Sequence, residues 1–154
     1  MKKKIIAFLM GLFIVAVSVV LGGCFEATPT KESVTEGIKE RWDVELPENI
    51  TLINYSLSVG MHDYLNLYIF EYKDCEEAFT NQLSSERNEK IEKFFINICE
   101  SRQGRFNEDY TLPDIPEEYF SLYKEELDGE LIVRKLYILY MPEENQLLVY
   151  NYKL

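Results

Sequence analysis

The chain has 154 residues, with 27 acidic against 16 basic side chains and a formal net charge of −11. Three basic residues and no acidic one lie in the first 23 positions, so the remainder carries 13 against 27, a net charge near −14. Phosphate backbones need cationic neutralisation, so nucleic acid is not an expected partner. The roughly 131 residues after position 23 suffice for one domain with its own core.

The chain opens on Met1-Lys2-Lys3-Lys4 and continues with an uncharged apolar run from Ile5 to Leu21. A basic start and an apolar run ending at small residues form the pattern of a secretory signal. The run is slightly short for a transmembrane helix, which needs about 20 apolar residues. Neither an uncleaved helix nor a plain signal peptide accounts for the cysteine that follows. The segment Leu21-Gly22-Gly23-Cys24 resembles the lipobox of bacterial lipoprotein precursors. The resemblance implies a diacylglyceryl group on the Cys24 sulfur and cleavage between Gly23 and Cys24. The residue types suit that chemistry: the glycines let the backbone into a tight protease site, and the thiol is the nucleophile. Two acyl chains anchor stably where one does not.

The resemblance covers the first 24 residues and divides the chain into a signal peptide (1–23), a lipidated Cys24 with a short tether (24–30) and one domain (31–154). Its implied address is the extracytoplasmic face of a bacterial cell membrane. The tether from Phe25 to Thr30, stiffened by Pro29, reaches at most about 20 Å when extended. The domain would therefore sit close to the bilayer. Its negative charge should be repelled by anionic lipid, which makes the anchor more necessary.

In the domain, Val34, Ile38 and Trp42 recur at helical spacing, and Ser33 with Glu36 has the form of a capping box, predicting a helix over 30–42. Pro47 follows in a breaking segment. Two alternating stretches, Thr51–Val59 and Asp63–Tyr72, are predicted strands joined as a hairpin across Gly60-Met61-His62. Asp74 and Glu77 open a helical region reaching about Glu100, either one long helix or two shorter ones split at the polar stretch Ser84–Lys90. After a loop, Asp114, Pro116 and Glu117 signal a short helix carrying Tyr119, Phe120 and Tyr123. Asp128-Gly129 turns the chain, and Glu130–Tyr140 and Asn145–Leu154 form a second hairpin rich in β-branched and aromatic residues. The order α-β-β-α-α-β-β predicts an α+β fold: a two-layer sandwich with a four-stranded antiparallel sheet and its helices on one face.

Chemistry-bearing residues are sparse. His62, the single histidine, lies in a turn beside Asp63, and the chain contains no G-x-S-x-G or H-E-x-x-H motif. The carboxylate pairs, such as Glu108-Asp109 and Glu125-Glu126, fall where acids solvate loops or favour helix starts. No segment matches an EF-hand loop, and no metal site or cofactor is expected. Cys75 and Cys99 form an even pair outside the cytoplasm, which invites a disulfide. Twenty-four residues of unbroken helix would hold them about 36 Å apart, so a bridge requires a break between them. Two buried thiols are the alternative.

The tyrosines supply the candidate binding face. Tyr64, Tyr68 and Tyr72 share one side of the second predicted strand, and Tyr150 and Tyr152 one side of the last. An exposed aromatic patch marks a partner or sugar site, whereas tyrosines also simply suit a pleated sheet. Together these features predict a lipid-anchored envelope protein with a non-catalytic binding or accessory role. Its partners would be the membrane through the anchor and a membrane or surface protein. The alternative is a small cell-wall or lipid-acting hydrolase using paired carboxylates. A substrate-capturing transporter lipoprotein usually needs two lobes around a cleft, for which one small domain is poor material.

Overall fold

The computed structural model describes residues 28–59, 64–73 and 76–153. The signal, the lipobox with Gly23 and Cys24, His62 and Cys75 lie outside the described residues. Among those described, no helix is long and apolar enough to cross a membrane.

Helix α1 (Lys31–Trp42) buries Val34, Ile38 and Trp42, the predicted stripe. Its capping box sits one turn earlier than expected. The Thr30 hydroxyl accepts from the Ser33 amide at 3.2 Å, and the Ser33 hydroxyl accepts from the Thr30 amide at 3.1 Å. Two small hydroxyl side chains three residues apart satisfy the orphan first-turn donors as well as a Ser/Glu pair does. The helix stops at Asp43, whose left-handed φ of 51° returns its N–H to the Lys39 carbonyl.

The sheet has five antiparallel strands, one more than expected: β1 (Thr51–Val59), β2 (Tyr64–Glu71), β3 (Phe120–Asp128), β4 (Leu131–Met141) and β5 (Gln146–Lys153), in the order β1-β2-β5-β4-β3. The extra strand is β3, in place of the short helix expected around Tyr119–Glu126. The local signals there favour helix. Pairing with β4 along nine positions, from Phe120↔Tyr140 to Asp128↔Leu131, satisfies its backbone instead. That register also places Phe120 and Leu122 against the core beneath α1. Both predicted hairpins, β1–β2 and β4–β5, are present.

The polar stretch Ser84–Lys90 breaks the long helical region, giving α2 (Glu77–Thr80) and α3 (Glu89–Ser101). Asn88 caps α3, its side-chain oxygen accepting from the Lys90 and Ile91 amides. Between the two helices Ser84 exchanges both backbone hydrogen bonds with Ser121 on β3, at 2.8 Å each.

The helices do not share one face, so the two-layer expectation is corrected. Helix α1, the segment around Val44, Leu46 and Ile50, and Phe79 of α2 cover Tyr68, Phe70, Leu136, Ile138, Leu147 and Val149. Helix α3 covers the other side, with Ile91, Phe95 and Cys99 against Leu67, Ile69, Leu139, Leu148 and Tyr150. The physical reason is the composition of the three central strands. They are apolar at consecutive positions, so both of their faces demand burial.

The end of α3 is held by Arg102, only 3% exposed. Its guanidinium donates to the Ser56 carbonyl at 2.8 Å, the Ser56 hydroxyl at 3.2 Å and the Leu65 carbonyl at 3.1 Å. Beyond it the loop returns along β1, where Asn107 exchanges hydrogen bonds with the backbone of Tyr55 and closes that edge of the sheet.

Candidate functional site

The sheet has two distinct ends. Thr51, Glu71, Gln146, Met141 and Phe120 line one, and Val59, Tyr64, Lys153 and Arg134 the other. β5 stops opposite Arg134, but β3 and β4 continue past it as a two-stranded ribbon. Gly129, with φ of 64°, occupies the first position of its two-residue turn, where a II′ turn takes glycine. Among the described residues no layer covers this overhang. Leu127 and Leu131 are accordingly 54% and 72% exposed, the most exposed large apolar side chains among the described residues.

Below the ribbon, on the α3 side, aromatic rings form a continuous shelf. Phe94 of α3 stacks on Tyr137 of β4, with centroids 4.0 Å apart and planes within 8°. Tyr123 packs on Tyr137 at 4.7 Å, and Tyr150 meets Phe94 edge-on at 4.8 Å. The cross-strand pair Tyr123↔Tyr137 builds this cluster, since directly opposed residues on one face bring their rings together. A depression of about 200 Å³ is lined by Phe94, Ile132, Lys135, Tyr137, Tyr150 and Tyr152.

The phenols stay neutral at physiological pH. Burial pushes Tyr150 up to about 12 and raises Tyr137. Tyr123 is raised by burial and by the Glu125 carboxylate that accepts its hydroxyl hydrogen. The shelf therefore offers ring faces and hydroxyl donors, with Lys135 as the cation in its lining. Such a surface can bind apolar or aromatic groups and donate hydrogen bonds at its rim.

The expected tyrosine face is not formed. Tyr68 is 8% exposed beneath α1, and Tyr72 is wholly buried between Phe79 and Tyr140. Tyr150 is buried on the opposite side, because β5 places it across from Leu67. Tyr64 occupies a strand position opposite Lys153, and Tyr152 is half-buried beside the shelf. Of the five, only Tyr150 and Tyr152 belong to the shelf. Phe94, Tyr123 and Tyr137 were not singled out by the sequence. Their signal was the β3–β4 register, which stays hidden when Tyr123 is read as helical.

Cys99 is a free, buried thiol pushed up to about 12 by burial. It lines a groove of about 290 Å³ between α3 and the following loop, together with Tyr110, Leu112 and Ile115 and the carboxylates of Glu100 and Asp114. Among the described residues, no cluster of three or more His, Cys, Asp or Glu side chains could hold a metal ion. No family model, no curated protein and no solved structure matches this chain.

Proposed function

We propose that this chain is a lipid-anchored extracytoplasmic protein that acts by binding, using the β3–β4 ribbon and the aromatic shelf to engage a membrane or surface protein. The observation that carries this reading is the exposure of Leu127, paired with Ile132, and of Leu131, paired with Asp128, on the two faces of a ribbon projecting past the sheet, with the Tyr123–Tyr137 pair further along the same two strands. Isolated exposed leucines are ordinary, but an apolar tip adjoining an aromatic shelf is the composition of an interface core.

The position of the ribbon favours a protein over the anchoring bilayer. Helix α1 begins at the opposite end of the sheet, where the Lys31 ammonium meets the Glu48 carbonyl at 3.0 Å, just before β1. Eight strand positions, about 27 Å, separate the two ends. A tether from Cys24 joining the far end would let the domain hold its apolar tip away from the anchoring bilayer.

The test is crosslinking of the lipidated protein in intact cells, comparing wild type with the double variant Leu127→Glu/Leu131→Glu. A partner captured by wild type and lost in the folded variant supports the reading. The same partners captured by both refute it.

The hydrolase remains the second reading, favoured by one observation: Glu100 and Asp114 both line the groove beside α3. Hydrolysis of a cell-wall or lipid substrate that disappears in Glu100→Gln and Asp114→Asn would establish it.

A further inference from the structure

A second pocket, on the α1 side of the sheet, differs chemically from the rest of this acidic surface. Arg41, Asn66, Asn151 and Lys153 line a volume of about 270 Å³. The domain carries far more acids than bases, yet among the described residues no carboxylate lines this pocket. Among the described residues neither Arg41 nor Lys153 forms a salt bridge, whereas Lys39, Arg87 and Arg134 each pair with a glutamate.

The fold assembles the four side chains from three elements. Arg41 is in the last turn of α1. Asn66 and Asn151 are register partners on adjacent strands, and Lys153 follows two positions along β5, on the same face as Asn151. The carboxamide of Asn151 is oriented: its oxygen accepts from the Trp42 indole N–H at 3.2 Å, which leaves its N–H₂ as donor. Asn66 shares its face of β2 with Tyr68 two positions on; burial raises the Tyr68 pKa and the Asn66 side chain partly offsets that rise. A helix C-terminus ordinarily repels anions. Here the carbonyl of Trp42 is taken up by the Lys124 ammonium at 2.8 Å, which offsets that field.

We propose that this pocket binds a phosphate-bearing ligand, with Arg41 and Lys153 on the phosphate oxygens and the amides of Asn66 and Asn151 completing the donor set. Two cations match a phosphate monoester, which carries close to two negative charges near neutral pH. A carboxylate has one charge and two oxygens, too few for four converging donors. The arginine fork adds bidentate geometry. The site is separate from the aromatic shelf and stands or falls independently of it.

Trp42 is the chain's single tryptophan and hydrogen-bonds to the pocket, so it reports binding directly. The full chain in neutral detergent is titrated at low salt with glycerol phosphate, inorganic phosphate and, as a control, glycerol. Fluorescence and calorimetry are followed together. In parallel, the chain is placed in phosphatidylcholine vesicles with and without phosphatidic acid, whose headgroup is a phosphate monoester. Saturable binding of a free phosphate identifies a soluble ligand. A response only to phosphatidic acid identifies a lipid headgroup. In either case Arg41→Gln and Lys153→Gln should each weaken binding at least about tenfold, and Asn66→Asp, which leaves both cations in place, should abolish it. No saturable response in either arm overturns the proposal. So does a folded Arg41→Gln/Lys153→Gln double variant that binds as well as wild type.

Discussion

Arg102 provides a direct test of how α3 is held to the sheet. Its guanidinium is buried, and the acceptors it meets are a hydroxyl and two backbone carbonyls. Burial lowers its pKa, but a guanidinium remains protonated, so the positive charge sits inside the protein. The three contacts share the two hydrogens of one guanidinium nitrogen, so at about 1.5–3 kcal/mol for each charged-donor bond they contribute roughly 4–5 kcal/mol together. Desolvating the guanidinium costs several kcal/mol in the opposite direction, leaving the head group with about 1–2 kcal/mol. Replacement by Ala also removes two stem methylenes, worth about 0.8 kcal/mol each when buried. Arg102→Ala should therefore destabilise by about 3 kcal/mol, and Arg102→Met, which keeps most of the stem, by about 1–2 kcal/mol. At roughly 4 °C per kcal/mol for a domain of this size, the expected losses in Tm are about 12 °C and 6 °C. Urea unfolding followed by Trp42 fluorescence and far-ultraviolet circular dichroism measures both variants, with coincident transitions required for a two-state reading. If Arg102→Met is as stable as wild type or more stable, desolvation cancels the three hydrogen bonds and the argument for their net contribution fails.

Three further expectations can be checked separately. The Cys99 thiol, pushed up to about 12, should resist alkylation at pH 8 in the folded protein and react on unfolding; mass mapping that finds native Cys99 modified as fast as an exposed thiol would contradict its burial. The Arg87 guanidinium holds the Glu92 carboxyl below the usual carboxylate range, and the Tyr119 hydroxyl assists by donating to it at 2.7 Å. A depressed folded pKa means stability that is full above the unfolded value of 4.5 and is lost as pH falls through the folded value. Arg87→Gln should lose that part of the acid dependence; an unchanged acid limb in urea titrations at successive pH values would argue against the coupling. Finally, Cys24→Ala should accumulate as uncleaved precursor in the membrane fraction, and processing to the wild-type size would rule out the lipobox.

Much of the fold was legible because its signals are local. Val34, Ile38 and Trp42 mark α1 by spacing alone, and runs rich in β-branched, aromatic and leucine residues make up both hairpins. The polar stretch Ser84–Lys90 pointed to a break without deciding it, and Asn88 shows where the new helix starts. The candidate site was far less legible. Leu131 reads as an ordinary strand residue, and its exposure follows from its pairing with Asp128 beside the β3–β4 turn. Tyr68 and Tyr72 looked available for binding until the positions of α1 and Phe79 were known.

What the sequence by itself determined is the part governed by neighbours a few residues apart: α1, the two hairpins, the acidic balance and the absence of familiar catalytic motifs. The tertiary structure alone decided that Phe120–Asp128 is a strand, that helices cover both faces of the sheet, and that Arg41, Asn66, Asn151 and Lys153 line one pocket from three elements. These depend on contacts between residues far apart in the chain. There, burial of two apolar faces and completion of a nine-position ladder outweigh local helix preference.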